Sequence, residues 1–237
     1  MSLPAAVLAG GLATRLGAVS LEVPKALVDV AGDPFAVHQL RLLAQHGVTD
    51  VVFLVGHLGE MMCDALGDGS RWGVRIQYAF DGAVRLGTGG AIRRALPLLG
   101  EAFLVLYGDS YLECDYGAVE RAFRASGKNG LMTVHRNDDQ WDTSNVLFEN
   151  GTVVRYDKAA RTADMHHIDY GLGVFRRRAF AARPENIVFD LAGVYQELIA
   201  NNDLAGYEIA SRFYEIGSPA GLEETRVYLA AKERDIR

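Results

Sequence analysis

The chain has 237 residues, 49% of them hydrophobic and 23% charged, and 24 Lys plus Arg against 30 Asp plus Glu leave a net charge of −6. That balance excludes the disordered, fibrous and disulfide-stapled classes, because a chain this long buries roughly 70–75% of its unfolded surface without a cross-link or structural metal. The acidic excess and the lack of a long Lys/Arg run argue against nucleic acid or an anionic membrane as the main partner.

The opening apolar stretch, residues 1–13, has no basic leader and is broken by Gly10 and Gly11, so neither a signal peptide nor a bilayer-spanning segment is expected. Short apolar runs at 5–9, 51–55, 74–80 and 103–107 read as strands, with helical patterns between them. In the first helix Asp33 is placed as the cap and Pro34 at the first helical position; Val37, Leu40 and Ala44 line one face, and Gly47 ends it. Strands separated by helices imply crossover units and a mostly parallel sheet.

After about Gly127 the rhythm changes. Strand candidates at 130–135, 145–148, 153–157 and 168–175 follow closely, and Glu149-Asn150-Gly151 reads as a hairpin turn, so this stretch is expected to add mixed or antiparallel strands carrying a second-substrate site. A helix at 191–200, a short strand around 212–215 and a last helix opened by Ser218-Pro219 complete the chain. Without a repeat or a low-complexity linker, one domain spanning 1–237 is expected.

Cys63 and Cys114 have neither CxxC spacing nor neighbours in metal-ligand register, so both read as half-buried thiols of a reducing, cytoplasmic protein. Adjacent His166 and His167 point to opposite sides of an extended strand, which argues against a shared metal. Trp72 and Trp141 read as partly buried packing, and Arg176-Arg177-Arg178 as a solvated helix entrance.

The segment richest in chemistry is Leu8-Ala9-Gly10-Gly11-Leu12-Ala13-Thr14-Arg15-Leu16, directly after the first strand, followed by Val23-Pro24-Lys25. Two adjacent glycines allow a sharp turn that presents N–H groups to phosphate oxygens, while Arg15 and Lys25 supply positive charge. The pattern is neither GxxxxGK[ST] nor GxGxxG, which removes the usual support for P-loop phosphoryl transfer and hydride transfer. Asp109 follows a strongly apolar strand. In an open parallel sheet the carboxyl ends of strands face the ligand crevice, so this acid is placed for a metal, although a turn or helix-capping role also fits.

Gly10-Gly11-Leu12-Ala13-Thr14-Arg15-Leu16 with Pro24-Lys25 resembles the signature of the sugar-1-phosphate nucleotidylyltransferases, and four further segments match in order. Leu86-Gly87-Thr88-Gly89-Gly90-Ala91-Ile92 is similar to the family's base-binding loop, and Tyr107-Gly108-Asp109-Ser110 to its metal-binding Gly-Asp. Tyr156-Asp157-Lys158 stands where the family has Glu-Lys-Pro, and Tyr214-Glu215-Ile216-Gly217-Ser218-Pro219 where it has Asp-x-Gly-Thr-Pro. Two departures are visible: no proline follows Lys158, and Glu215 replaces the second metal aspartate, although glutamate is also a hard oxygen ligand.

The resemblance implies a Rossmann-like α/β fold, with a mixed, mostly parallel central sheet flanked by helices and a small additional β region. Residues 1–127 would bind nucleotide, and 128–237 would bind sugar phosphate and end in the C-terminal helix. No attached acyltransferase domain is expected. The implied partners are a nucleoside triphosphate and a sugar 1-phosphate, with magnesium as cofactor and a homodimer as a common state of relatives. Leu8, Ala9, Gly10, Gly11, Gly87, Thr88 and Gly89 would hold the nucleotide; Asn145, Lys158, Asp169 and Gly171 the sugar phosphate; Asp109 and Glu215 the metal. Arg15, Lys25 and Asp109 would carry catalysis.

A phosphomonoester is already mostly dianionic at pH 7 and needs no general base, so catalysis reduces to positioning and charge neutralisation. The Leu-Gly-Thr-Gly-Gly-Ala form of the base loop resembles branches using GTP with mannose or heptose 1-phosphate. UTP, CTP and dTTP, a phosphocholine-like acceptor, and a non-catalytic nucleotide-sugar sensor are the alternatives.

Overall fold

A computed structural model of the chain describes residues 2–11, 23–56, 58–82 and 84–236. Strand β1 (Ala5–Leu8) leads to two short paired strands, β2 (Asp29–Val30) and β3 (Asp33–Pro34), and then to helix α1 (Phe35–Gln45). The chain continues through β4 (Asp50–Val55), α2 (Gly59–Leu66), β5 (Arg75–Phe80), α3 (Gly87–Ala95) and β6 (Ala102–Tyr107). Next come β7 (Ser110–Tyr111), α4 (Tyr116–Ser126), β8 (Gly130–Arg136), β9 (Val146–Glu149), β10 (Thr152–Tyr156) and β11 (His167–Arg176). The last elements are α5 (Arg178–Ala181), α6 (Leu191–Ala200), β12 (Leu204–Glu208), β13 (Tyr214–Glu215) and α7 (Pro219–Ile236).

The main sheet runs in the order β10-β9-β11-β6-β1-β4-β5, with β8 pairing both β11 and β12 beside that path. The half formed by β6, β1, β4 and β5 is parallel. Strand β11 runs antiparallel to β6 and β8, and β9 and β10 form the expected hairpin. Asn150 and Gly151 both have positive φ at its turn, the conformation a tight two-residue hairpin requires. The fold is therefore the mixed, largely parallel α/β sheet that the strand–helix rhythm predicts.

Period-two alternation builds a core on each face of this sheet. Ala5, Val7, Val51, Phe53, Leu104 and Leu106 point to the face covered by α1, α2 and α4. Ala6, Val52, Leu54, Phe103 and Val105 point to the opposite face, under α3, α5 and α6. A smaller cluster of Val30, Phe35, Leu42, Tyr111, Ile216 and Leu229 docks α7 against α1 and the β7–β13 ribbon.

Three local expectations are corrected. Asp33 does not cap the first helix: Asp33 and Pro34 are spent in the β2–β3 pairing, the helix begins at Phe35, and the Asp33 carboxylate instead pairs with Arg41 at 2.6 Å. The helix after Asp109 starts at Tyr116 and is capped by Asp115, whose Oδ1 accepts from the Ala118 N–H at 2.8 Å, so Asp109 is relieved of a capping role. Strand β12 went unread, because Leu204–Glu208 holds only one buried apolar residue; it is an edge strand defined by its parallel pairing to β8. Cys63 and Cys114 are both half-buried free thiols, as expected. Among the described residues no helix is long and apolar enough to cross a membrane.

Candidate active site

The carboxyl ends of β1, β4, β5 and β6 lie on one edge of the sheet, and Ala9 to Gly11 after β1, Asp81 after β5 and Gly108-Asp109 after β6 line a cleft there. After β6 the chain makes a tight turn through Gly108-Asp109. A Cβ on Gly108 would stand 2.8 Å from the Leu8 carbonyl oxygen and 3.2 Å from the Ala9 Cα, so only glycine lets this turn lie against the end of β1. Asp109 thereby faces the short helical turn Lys25–Leu27, and Lys25 Nζ lies 3.0 Å from Asp109 Oδ2.

Two cavities open on either side of this pair and share Lys25, Tyr107 and Asp109. The first, about 310 Å³, is walled by Leu8, Ala9, Gly10 and Gly11 and reaches past Gly87 and Thr88 to Asp81 and Arg85. The second, about 530 Å³, is walled by Asn145, Lys158, Asp169, Gly171, Glu215 and Trp141. Lys25 and Asp109 thus stand between a nucleotide-sized pocket and a polar one. Arg15 lies outside the described residues.

The glycine loop does something the sequence did not suggest. Gly87 begins α3 at φ +71°, and a Cβ there would stand 2.7 Å from the Phe189 carbonyl oxygen; on Gly90 it would stand 2.6 Å from that of Ile187. On Gly89 it would overlap the Phe189 ring. The Gly89 and Gly90 N–H groups both donate to the Phe189 carbonyl, at 3.0 and 3.1 Å. The room these glycines leave is filled by this chain's own 187–189 segment, so Gly89 is buried against Phe189 and does not line the cavity. Thr88 lines it, while its Oγ1 accepts from the Leu191 N–H at 2.8 Å and so ties the loop to the start of α6.

On the other side a bulge shapes the wall. Between Asp169 and Gly173 the register of β11 against β8 shifts, and Gly171 takes φ +100°. The Gly171 N–H then donates to Asp169 Oδ1 at 3.0 Å, Tyr156 donates its hydroxyl to Asp169 Oδ2 at 3.2 Å, and the Asp169 N–H donates to Asn145 Oδ1 at 3.1 Å. Burial raises the Asp169 carboxyl above the usual carboxylate range, with the Lys158 ammonium and the two donors opposing. Lys158 Nζ lies 5.6 Å from the ring centre of Tyr107 and 5.8 Å from that of Tyr156, a cationic tip held over two aromatic faces at the mouth.

Trp141 is 44% exposed and lines this cavity, contrary to a packing role, with the Arg212 guanidinium 3.5 Å from its ring centre. His166 and His167 diverge as expected: His166 is exposed beside Asp138, and His167 is buried near Glu208. Of the Arg176-Arg177-Arg178 run, Arg178 is exposed at the start of α5 as expected, while Arg176 and Arg177 are half-buried, Arg176 over Phe123 and Arg177 donating to the Leu96 carbonyl.

Sequence reasoning missed Asp81, Tyr107 as a wall, Asp190 and Phe213. The signal for Asp81 was present, since it stands directly after β5, much as Asp109 stands two residues after β6. Burial raises its carboxyl, against the Leu86 N–H and the positive charges of Arg94 and Arg85.

Glu215 sits in β13 opposite Ser110, which brings its carboxylate to the same edge as Asp109. A Cβ placed on Gly217 would lie 2.6 Å from Glu215 Oε2, 3.5 Å from Asp109 Oδ2 and 3.4 Å from Lys25 Nζ, so the three charged groups crowd one small volume. Glu215 also accepts from the Gly217 and Ser218 N–H groups and from Ser218 Oγ, which folds the loop that opens α7. Among the described residues no group of three or more His, Cys, Asp or Glu is placed for a metal. Two hard carboxylates beside the cavity walled by Leu8 to Gly11 nonetheless fit magnesium, which takes one or two protein carboxylates plus substrate oxygens rather than an all-protein cage.

These features place two cavities that meet at Lys25 and Asp109 at one edge of a parallel sheet, and comparison with known proteins gives the family. A family model described as nucleotidyl transferase matches residues 5–149, and the chain belongs to that family of enzymes. N-acetylmuramate alpha-1-phosphate uridylyltransferase of Neisseria meningitidis is 30% identical over 233 residues, covering 96% of this chain and 98% of that protein. Mannose-1-phosphate guanyltransferase beta-B of Xenopus laevis is 27% identical over 224 residues; the match covers 91% of this chain and 61% of that protein's length. The solved structure of a putative glucose-1-phosphate thymidylyltransferase from Bacillus anthracis superposes with a TM-score of 0.85 at 18% identity, covering 97% of this chain and 96% of that one, a likeness of fold.

Proposed function

We propose that this enzyme transfers a nucleotidyl group from a nucleoside triphosphate to a sugar 1-phosphate, releasing pyrophosphate, with GTP as donor and a mannose- or heptose-type 1-phosphate as acceptor. The observation that carries the reading is the pair of cavities meeting at Lys25 and Asp109, which suits two anionic substrates joined at one phosphorus. The backbone from Leu8 to Gly11 would cradle the triphosphate, and Gly87 and Thr88 the nucleoside. Lys158, Asn145, Asp169 and Gly171 would receive the sugar phosphate. Lys25 offsets the repulsion between the two anions, and no general base is required because the attacking phosphate is already ionised. Asp109, with Glu215, would hold magnesium, which supplies charge neutralisation at the α-phosphate. Arg15 would neutralise the departing pyrophosphate.

Asp81 favours guanine. It follows β5 and lines the first cavity with Gly10, Arg85 and Thr88, its Oδ2 3.7 Å from where a Cβ on Gly10 would stand. A half-buried carboxylate accepts and does not donate. The adjacent N1–H and N2 amino donors of guanine complement it, whereas the uracil and thymine edge sets a carbonyl on either side of one N–H. Arg85, lining the same end, suits the guanine O6 acceptor.

Pyrophosphate release measured with each triphosphate against mannose, heptose, glucose and N-acetylmuramate 1-phosphates tests the reading. Turnover with GTP and a mannose- or heptose-type acceptor supports it. Turnover confined to UTP with N-acetylmuramate 1-phosphate would overturn the substrate assignment and keep the reaction class.

A further inference from the structure

Gln39 lies on α1, outside both cavities, and is 4% exposed. Its Nε2 donates to the Tyr107 carbonyl at 3.0 Å and to the Ser110 carbonyl at 2.7 Å. Those two carbonyls bracket Gly108-Asp109, so both hydrogens of one amide nitrogen clamp the ends of the turn that carries Asp109. The partners fix the orientation of the amide, because turning it over would set Oε1 against two carbonyl oxygens. The consequence is that Gln39 Oε1 is buried with no hydrogen-bond partner among the described residues.

A buried acceptor without a partner is destabilising, and the neighbouring helix positions Leu40, Leu42 and Leu43 are filled by apolar side chains that carry no such cost. The arrangement is understandable if what the two donors hold matters more than the orphaned oxygen. From the sheet side, the Gly108 N–H donates to the Leu8 carbonyl at 3.0 Å and the Ile216 N–H to the Asp109 carbonyl at 2.9 Å. Gln39 adds a hold from the helical layer behind.

We infer that Gln39 is a positioning residue that fixes the Asp109 carboxylate for a divalent cation, an inference resting on the reading of Asp109 as a metal ligand. It touches neither substrate nor metal; it limits rotation of the turn, so that Asp109 is presented toward the junction of the two cavities. Outer partners of a metal ligand usually account for about 10- to 100-fold in metal affinity, and an effect of that size is expected here.

The test is Mn(II) binding followed by electron paramagnetic resonance, with the triphosphate that most raises the melting temperature present and the sugar phosphate omitted. The variants are Gln39→Met, which keeps the length and removes both donors, and Gln39→His, whose ring N–H restores one. Leu40→Val, on the same helix and fully buried, serves as a packing control. The Mn(II) dissociation constant should rise about 10- to 100-fold in Gln39→Met, rise less in Gln39→His, and stay near the parent value in Leu40→Val. Turnover of Gln39→Met should recover toward the parent level as magnesium is raised, which a purely structural defect would not do. If Gln39→Met does not fold, Gln39→His alone must weaken Mn(II) binding relative to Leu40→Val. An unchanged dissociation constant, or equal weakening in Leu40→Val, overturns the inference. A parent enzyme that binds no Mn(II) overturns the reading of Asp109 itself, a distinguishable result.

Discussion

Lys25→Ala separates catalysis from stability, because the proposed reading gives the Lys25–Asp109 contact very different weights in the two. The side chains are 18% and 34% exposed, so water reaches both ends of the pair. An ion pair in such a setting stabilises the fold by at most about 1 kcal/mol. For a chain of this length that is a shift of about 2–4 °C in melting temperature. On the proposed reading the same ammonium would lie where two phosphates are brought together, and removing one preorganised charge of this kind costs about 10²- to 10³-fold. Lys25→Ala should therefore melt within about 4 °C of the parent while magnesium-dependent pyrophosphate release falls at least about 100-fold. Thermal denaturation and a coupled pyrophosphate assay on the same preparation read both quantities. Turnover within about threefold of the parent would remove Lys25 from the mechanism. A melting temperature lower by more than about 10 °C would show that the pair holds the fold instead.

Gly89→Ala should lower stability by about 1–3 kcal/mol, because its methyl would overlap the Phe189 ring, and trimming Phe189 to leucine should restore part of the loss in a melting experiment. Asp81→Asn should reduce kcat/KM for GTP by about 10- to 100-fold and leave UTP little changed; an equal loss for both bases would place Asp81 outside base reading. Asp169 carries a raised carboxyl, so the folded protein holds its proton to higher pH than the unfolded chain does. Stability attached to this group is intact below the ordinary aspartate value and declines as pH rises through the raised one. The melting temperature of Asp169→Asn relative to the parent should accordingly improve between about pH 4 and pH 7, and a relative decline over that range would contradict the assignment.

What was legible in the sequence followed from period and position. Continuous apolar runs such as Val51 to Val55 and Phe103 to Tyr107 name their own strands, because each must bury two faces under helices. Acidic and glycine residues at the ends of such runs point to the cleft, and Asp109 and Gly10 are legible from that placement together with the family signature, whereas Asp81 has the placement alone. Other features depend on contacts between distant segments. Nothing near Gly89 signals that Phe189 will fill its space, and nothing near Gln39 signals the two carbonyls some seventy residues away. Strand β12 likewise exists through its pairing with β8, and Trp141 lines a cavity with the guanidinium of Arg212, some seventy residues away, over its ring. Asp33 shows the reverse error: a good local capping signal lost to a short strand pairing that satisfies the backbone another way.

The most direct test of the central claim is magnesium-dependent pyrophosphate release by the purified chain across nucleoside triphosphates and sugar 1-phosphates, with Asp109→Ala as the blank. The two-pocket account predicts that one donor–acceptor pair dominates, that GTP is its donor, and that the blank abolishes the signal. If a triphosphate raises the melting temperature while no pair supports turnover, the account is contradicted and the site is that of a binding protein.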